Sequence, residues 1–137
     1  MALDPELVDE TRAWLAKASN DLRAAEALQP MSPPLFGEAA FHCQQAAEKA
    51  LKGFLTWNGR VFRKTHNLEE VGEQCISVDP TLSDTVDRAV PLSEYAWKFR
   101  YPGSPYDPAA QEAEEAIAIA RAVVEAVLSR LPSELRP

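Results

Sequence analysis

Apolar residues recur along this chain at intervals of three and four, which is the spacing of one face of an α-helix. The first such stripe runs from Pro5 to about Leu28, and Asp4 fits an N-cap in front of a proline at the first helical position. A second stripe runs from about Leu35 to Trp57. Alternating runs of β-branched residues are absent, so the pattern predicts helices and no strands.

Shorter elements follow in the middle of the chain. Asn58 and Gly59 predict the end of the second helix, because both residues tolerate the left-handed conformation that closes helices. Thr65 or Asn67 then caps a short helix. The next helix opens after Asp79, at the proline or threonine that follows it.

Proline divides the last third of the sequence. Pro91 interrupts the helical pattern, and we expect a kinked helix that continues to Phe99. Residues 100–108 hold three prolines and a glycine, which predict an ordered loop, and Asp107 should cap a final helix entered at Pro108. Long helices with short connections predict an all-α fold, an up-and-down bundle of four to five antiparallel helices.

Composition adds limits to this picture. A chain of 137 residues, 46% of them hydrophobic, is predicted to form a single domain over residues 1–137 with one core. No stretch approaches 18 consecutive apolar residues and the first ten residues are acidic, so we expect a cytoplasmic protein with no membrane segment. Cys43 and Cys75 lie within helical patterning and are interpreted as reduced core thiols.

Two kinds of site are not expected. The five glycines are isolated and follow no strand, which argues against a phosphate-binding loop. His42 and His66 are separated by a whole helix, and no Glu-x-x-His pair occurs, so we expect no metal and no cofactor.

Local charge departs from the total. The formal net charge of −7 argues against a globally basic coat for nucleic acid, yet Glu48 to His66 holds five cations and one carboxylate. A solvated rim is the alternative interpretation of these cations. Gln45, Glu48 and Lys52 share one helix face, where an intrahelical Glu–Lys pair stabilises by about a few tenths of a kcal/mol.

Cations and rings also alternate in the segment before the proline-rich loop. Lys98 and Arg100 flank Phe99 and Tyr101, as a pocket for phosphate and a stacked base requires. Arg100 could instead pair with a carboxylate across the bundle. The prolines of the loop favour a preorganised surface that faces a ligand or a partner.

Three segments carry a resemblance to a known family. They are FHCQQAAEKALKGFL at residues 41–55, KTHNL at residues 64–68, and Arg100-Tyr-Pro before the final helix. Their order and spacing resemble the HEPN domain family (higher eukaryotes and prokaryotes nucleotide-binding). The resemblance covers about Ala13 to Leu131, and the run QAAEKALK is its most specific part.

The resemblance implies a four- or five-helix bundle that forms a homodimer, with the site in the cleft between protomers. It also implies a possible partner, a minimal nucleotidyltransferase, in a toxin–antitoxin pair. Active ribonucleases of the family use an Arg followed after four to six residues by His, without metal, and cleave RNA through its 2′-hydroxyl. Arg100 occupies the Arg position, but the three positions in question hold Pro105, Tyr106 and Asp107.

The missing His weakens the expectation of catalysis. Imidazole exchanges protons near neutral pH, whereas a tyrosine with a reference pKa near 10 can donate a proton but is a poor base. Tyr106 is the candidate replacement beside Arg100, and His66 is a second one that also suits a structural hydrogen bond. Three tryptophans and the wide apolar arc of the second helix favour a second protomer as partner.

We therefore expect a non-catalytic module that binds nucleotide or RNA phosphate, or that serves a nucleotidyltransferase. The alternatives are a metal-independent ribonuclease that uses Arg100 and Tyr106, and a pure protein-interaction module. The residues expected to bind the ligand are Lys64, His66, Lys98, Arg100 and Tyr101.

Overall fold

The computed structural model describes residues 3–103 and 106–137, and within those ranges every regular element is a helix. The α-helices are α1 (Pro5–Leu28), α2 (Phe36–Trp57), α3 (Leu68–Val78), α4 (Ser83–Ala89) and α5 (Ala110–Leu128). Short 3₁₀ helices cover Pro80–Leu82, Val90–Ala96 and Ser133–Leu135. The expected all-α bundle is confirmed.

Helix α2 lies at the centre of the bundle and contacts α1, α3, α5 and the 3₁₀ helix Val90–Ala96. Five of its alanines are fully buried, and such small side chains let neighbouring helices approach closely. Gly53 serves the same purpose, because a Cβ there would lie 3.2 Å from the Trp14 Cβ and 3.1 Å from a Leu15 methyl. The core between α1 and α2 is therefore tight.

Local sequence signals set most helix ends. The Asp4 side chain accepts a hydrogen bond from the Glu6 amide at 3.0 Å, and Asn67 Oδ1 accepts from two amides of the first turn of α3. Gly59 has φ +69°, the left-handed conformation, and the Arg60 amide donates back to the Leu55 carbonyl at 2.9 Å. These bonds satisfy backbone groups that a helix leaves unpaired at its ends.

Two expected elements are wrong in detail. The segment after Pro91 is a 3₁₀ helix that ends at Ala96, not a kinked α-helix reaching Phe99, because a proline cannot donate to the α-helical ladder. The last helix begins at Ala110 rather than at Pro108 with an Asp107 cap. Its first intrahelical bond is accepted by the carbonyl of residue 109, two positions beyond the expected cap.

The two thiols lie where the sequence places them, in the core. Cys43 and Cys75 are both fully buried and free, and burial raises the pKa of each to about 12. Within residues 3–103 and 106–137, no helix is both long enough and apolar enough to cross a bilayer.

Candidate functional site

Arg100 lies on the protein surface at the end of the turns that follow the 3₁₀ helix. Its guanidinium carbon lies 4.3 Å from the centre of the Phe41 ring, and one guanidinium nitrogen donates to the Ala96 carbonyl at 3.3 Å. A guanidinium stacked on a ring keeps its remaining N–H groups available for an anion. Arg100 is thus oriented by α2 and by its own chain.

No carboxylate of the described residues forms an ion pair with Arg100, so the interpretation as a bundle-crossing pair is wrong for that part of the chain. The Tyr101 ring lies 5.7 Å from the guanidinium carbon, and 63% of Tyr101 is exposed. A cation and an exposed ring therefore adjoin, as the sequence predicts.

Lys98 and Tyr106 form a second group in the same segment. Lys98 Nζ donates to the Tyr106 hydroxyl at 3.1 Å and to Glu94 at 3.0 Å, and these bonds raise the pKa of Lys98. The Tyr106 ring also packs edge-on against Phe99 at 5.6 Å. The contacts of Tyr106 within the described chain are thus with Lys98 and Phe99, and not with Arg100.

The aromatic residues before the loop anchor it to the bundle. Tyr95 stacks on Phe99 at 5.6 Å and donates to Glu112 of α5 at 2.8 Å. Burial and that carboxylate raise the pKa of Tyr95, so its hydroxyl stays protonated as a structural donor. Gly37 leaves room for Phe99, because a Cβ there would lie 2.9 Å from the Phe99 Cβ. The segment bearing Arg100 is therefore held at the start of α2.

The basic stretch is less basic than its sequence indicates. Lys49 binds Asp21 at 2.6 Å, Lys52 binds Glu48 at 3.0 Å, and Arg63 forms an ion pair with Glu70. Lys64 is exposed and has no ion pair with a described residue. Three of the five cations are therefore neutralised, which weakens this stretch as an anion site.

The structure reveals a polar cluster that the sequence analysis missed. Glu48 accepts hydrogen bonds from Gln44 at 3.0 Å, from Lys52 at 3.0 Å and from His66 Nδ1 at 2.8 Å. The Glu48 side chain is only 5% exposed, and Lys52 also donates to the Thr65 carbonyl at 2.9 Å. The cluster ties residues 65–66 to α2, so the expected surface pair is a buried one.

His66 itself remains accessible. Its side chain is 67% exposed although Nδ1 is held by the buried carboxylate. Because an ionised carboxylate only accepts, Nδ1 carries the hydrogen and Nε2 presents a lone pair. Within the described residues Nε2 has no hydrogen-bond partner. This is the geometry of an oriented imidazole that can exchange a proton with a bound molecule.

Arg100 and His66 lie along the same face of α2. Arg100 contacts Phe41 and His66 contacts Glu48, and the two contacted residues are seven positions apart. Seven residues nearly complete two helical turns, so these positions share a face at about 10 Å along the axis. A ligand that extends over several bonds could reach both groups.

A groove adjoins His66 between the start of α3 and the 3₁₀ helix. Its volume is about 480 Å³, and its lining includes Asn67, Ser93, Glu94 and the exposed Trp97. Among the described residues, no three His, Cys, Asp or Glu side chains cluster closely enough to hold a metal ion. Pro105, one of the three positions examined for a family His, lies outside the described residues.

Comparisons with known proteins agree with this architecture. The crystal structure of TT1696 from Thermus thermophilus is 32% identical, with a TM-score of 0.74 over 88% of this chain and 98% of that chain. The crystal structure of ST0689, an archaeal HEPN homologue, is 27% identical, with a TM-score of 0.67 over 88% of this chain and 96% of that one. No protein of curated function matches the sequence.

The family model described as HEPN domain matches residues 11–131. That range contains α2 to α5, most of α1, the Glu48 cluster and Arg100. The resemblance seen in the sequence is thereby confirmed, and the chain belongs to the HEPN domain family.

Proposed function

We propose that this protein binds the phosphate of a nucleotide or of RNA through Arg100. The observation that carries the proposal is the state of that side chain, which is exposed, stacked on Phe41 and without a carboxylate partner among the described residues. An arginine held in this way offers paired N–H donors to a phosphate. The adjoining Tyr101 ring offers a surface on which a base can stack.

The other expected ligand residues have unequal support. Lys98 is engaged with Glu94 and Tyr106, so it stabilises the segment and adds charge near Arg100. Lys64 is exposed two residues before His66 and can contribute long-range attraction. The main ligand contact is thus assigned to Arg100.

Binding is tested with labelled single-stranded RNA by fluorescence anisotropy at two salt concentrations. Arg100→Ala is expected to weaken binding by about tenfold or more, because one charge-assisted contact contributes about 1.5–3 kcal/mol. The affinity of the parent should fall with added salt as counterions are displaced. Arg100→Lys should recover part of the affinity, because it keeps the charge without the planar fork.

Arg12→Ala is the matched control, since Arg12 is also exposed and lies on α1. This variant removes the same charge and should retain the parent affinity. Equal affinities of the parent and Arg100→Ala would overturn the proposed binding role.

Ribonuclease activity is the second candidate, and the Glu48–His66 pair favours it over the expected Tyr106. His66 Nε2 would take the proton of the RNA 2′-hydroxyl, whose oxygen then attacks phosphorus to form a 2′,3′-cyclic phosphate. The bond to the 5′-oxygen breaks, and that oxygen takes a proton from water. The neutral imidazole returns when His66 releases its proton.

A denaturing gel of structured RNA without added metal tests cleavage. His66→Gln should abolish it and leave RNA affinity intact, and Arg100→Ala should reduce both. His42→Gln is the matched control, because His42 Nδ1 also binds a carboxylate, that of Asp21 at 2.8 Å. Intact RNA with the parent would exclude cleavage of those substrates and leave the binding role.

We further propose that the protein acts as a homodimer, and as the partner of a minimal nucleotidyltransferase in a toxin–antitoxin pair. Exposed Trp97 and Tyr101 on the side that carries Arg100 support the first part, because aromatic residues are enriched at interfaces. Sedimentation velocity of the parent and of Trp97→Ala measures the dimer. Mixing with a purified minimal nucleotidyltransferase tests the second part, and a single species at all ratios is the expected result.

A further inference from the structure

Trp97 is a large exposed ring that borders a defined groove. It is 63% exposed, and it lines the groove of about 480 Å³ together with His66, Ser93 and Glu94. Leaving so large an apolar surface in water forgoes burial that would stabilise the fold. Volumes of about 300–1,000 Å³ are typical of sites for small ligands. The groove is therefore sized for a small molecule with a flat face.

Glu94 is placed next to that ring by the backbone. The Trp97 amide donates to the Glu94 carbonyl at 3.2 Å, which is an i→i+3 bond. In 3₁₀ geometry side chains three residues apart lie almost directly above one another. Glu94 Oε1 accepts from Lys98 at 3.0 Å, whereas Oε2 has no hydrogen-bond partner among the described residues. An acceptor thus stands beside the stacking surface.

The opposite wall of the groove offers donors. Asn67 Oδ1 caps α3, which leaves its amide N–H groups for the groove. Ser93 Oγ accepts from the Leu68 amide at 3.0 Å, so its hydroxyl hydrogen remains to be donated. The groove accordingly combines an aromatic face, a carboxylate acceptor on one side and neutral donors on the other.

We propose that this groove binds the guanine base of a nucleotide, stacked on Trp97 with Glu94 accepting from the base. Among the four RNA bases only guanine has two adjacent N–H donors, N1–H and N2–H, on its Watson–Crick edge, and a carboxylate matches that pair. Guanine also carries the O6 and N7 acceptors that Asn67 and Ser93 can reach. Adenine and cytosine would direct a ring-nitrogen lone pair at the carboxylate.

The inference rests on the proposed phosphate binding, because Arg100 follows Trp97 by three residues and its amide donates to the Trp97 carbonyl at 3.3 Å. A base on Trp97 thus lies one turn from the proposed phosphate contact. Guanine recognition adds selectivity to a site that would otherwise take any nucleotide.

Isothermal titration with GMP, IMP, AMP and UMP on the full-length protein tests the site. GMP should bind about tenfold or more tightly than AMP and UMP, as expected for a bidentate contact worth about 1–3 kcal/mol. IMP lacks the 2-amino group and should fall between them. Glu94→Gln should remove the preference for GMP and leave AMP affinity unchanged.

Two further variants complete the test. Trp97→Ala should weaken all four nucleotides, and Glu134→Gln is the matched control, an exposed glutamate in the C-terminal segment. Equal binding of the four nucleotides, or a GMP preference that survives in Glu94→Gln, would overturn the inference. If the four bind equally and Arg100→Ala still weakens RNA, the proposed function stands without the guanine site. Absence of any binding would overturn both.

Discussion

The Glu48 cluster and the Arg100 segment share a face of α2 but treat charge in opposite ways. Glu48 is buried and every bond it accepts comes from within the protein, from Gln44, Lys52 and His66. Arg100 is exposed and is oriented by a ring and a carbonyl that leave its charge unpaired among the described residues. The first arrangement stabilises the fold, and the second is useful only if something else supplies the anion.

The energetic difference follows from desolvation. A buried charge is tolerated when partners replace its water, and removing one partner leaves the other charge without compensation. An exposed charge keeps its water and adds little to stability. Substitutions in the two regions should therefore separate stability from binding.

The largest effect is expected for Glu48→Ala. This change leaves Lys52 buried without its carboxylate and releases His66, so the free energy of unfolding should fall by about 3–5 kcal/mol. Urea denaturation followed by circular dichroism measures the loss. Glu10→Ala, at an exposed position on α1, is the control and should change stability by less than about 0.5 kcal/mol. A loss at Glu48 as small as that of the control would contradict the buried-charge argument.

The next prediction uses Cys43 and Cys75 as reporters of the core. Because burial raises the pKa of both thiols to about 12, they stay protonated and unreactive in the folded protein at about pH 8, near the ordinary thiol pKa. Reaction with Ellman's reagent should be complete in denaturant and very slow in native buffer. Glu48→Ala should accelerate the native reaction and Arg100→Ala should not. Rapid labelling of the folded parent would show that the core opens readily.

A smaller effect is expected for His66→Ala. The side chain is mostly exposed and contributes one bond to Glu48, so its loss should cost about 1 kcal/mol while Gln44 and Lys52 still hold the carboxylate. Thermal unfolding measures the shift. A loss equal to that of Glu48→Ala would mean that His66 is the principal support of the cluster.

The smallest effect on stability is expected for Arg100→Ala. Its described contacts are rings and one carbonyl at the surface, so the free energy of unfolding should change by less than about 0.5 kcal/mol. The same variant should nevertheless show the loss of RNA affinity described above. A large loss of stability at this position would place Arg100 among the structural residues and weaken the binding proposal.

Local signals in the sequence were sufficient for much of the fold. The Asp4 and Asn67 caps and the Gly59 stop act within a few residues, and each lies where expected. The start of the last helix at Ala110 was missed because Asp107 and Pro108 form an equally good local signal two residues earlier. Boundaries of this kind depend on which backbone carbonyl accepts the first helical bond.

The candidate site was predicted less completely. Arg100 and Tyr101 adjoin as expected, because neighbours in sequence cannot separate far. Glu48 and Lys52 were interpreted as a weak surface pair, although their side chains are 5% and 6% exposed. Their burial depends on residues 65–66 folding back across α2, a contact between positions 18 apart for which helical spacing carries no signal.

The sequence by itself determined the helical class, most caps, the buried thiols and the family, since these depend on local conformation and on the distribution of apolar residues. Only the tertiary structure decided which charges are neutralised, which carboxylate holds His66 and where Trp97 is exposed. The reason is physical. Burial and pairing depend on distances between segments far apart in the chain, and charges identical in sequence acquire opposite roles once water is excluded from one of them.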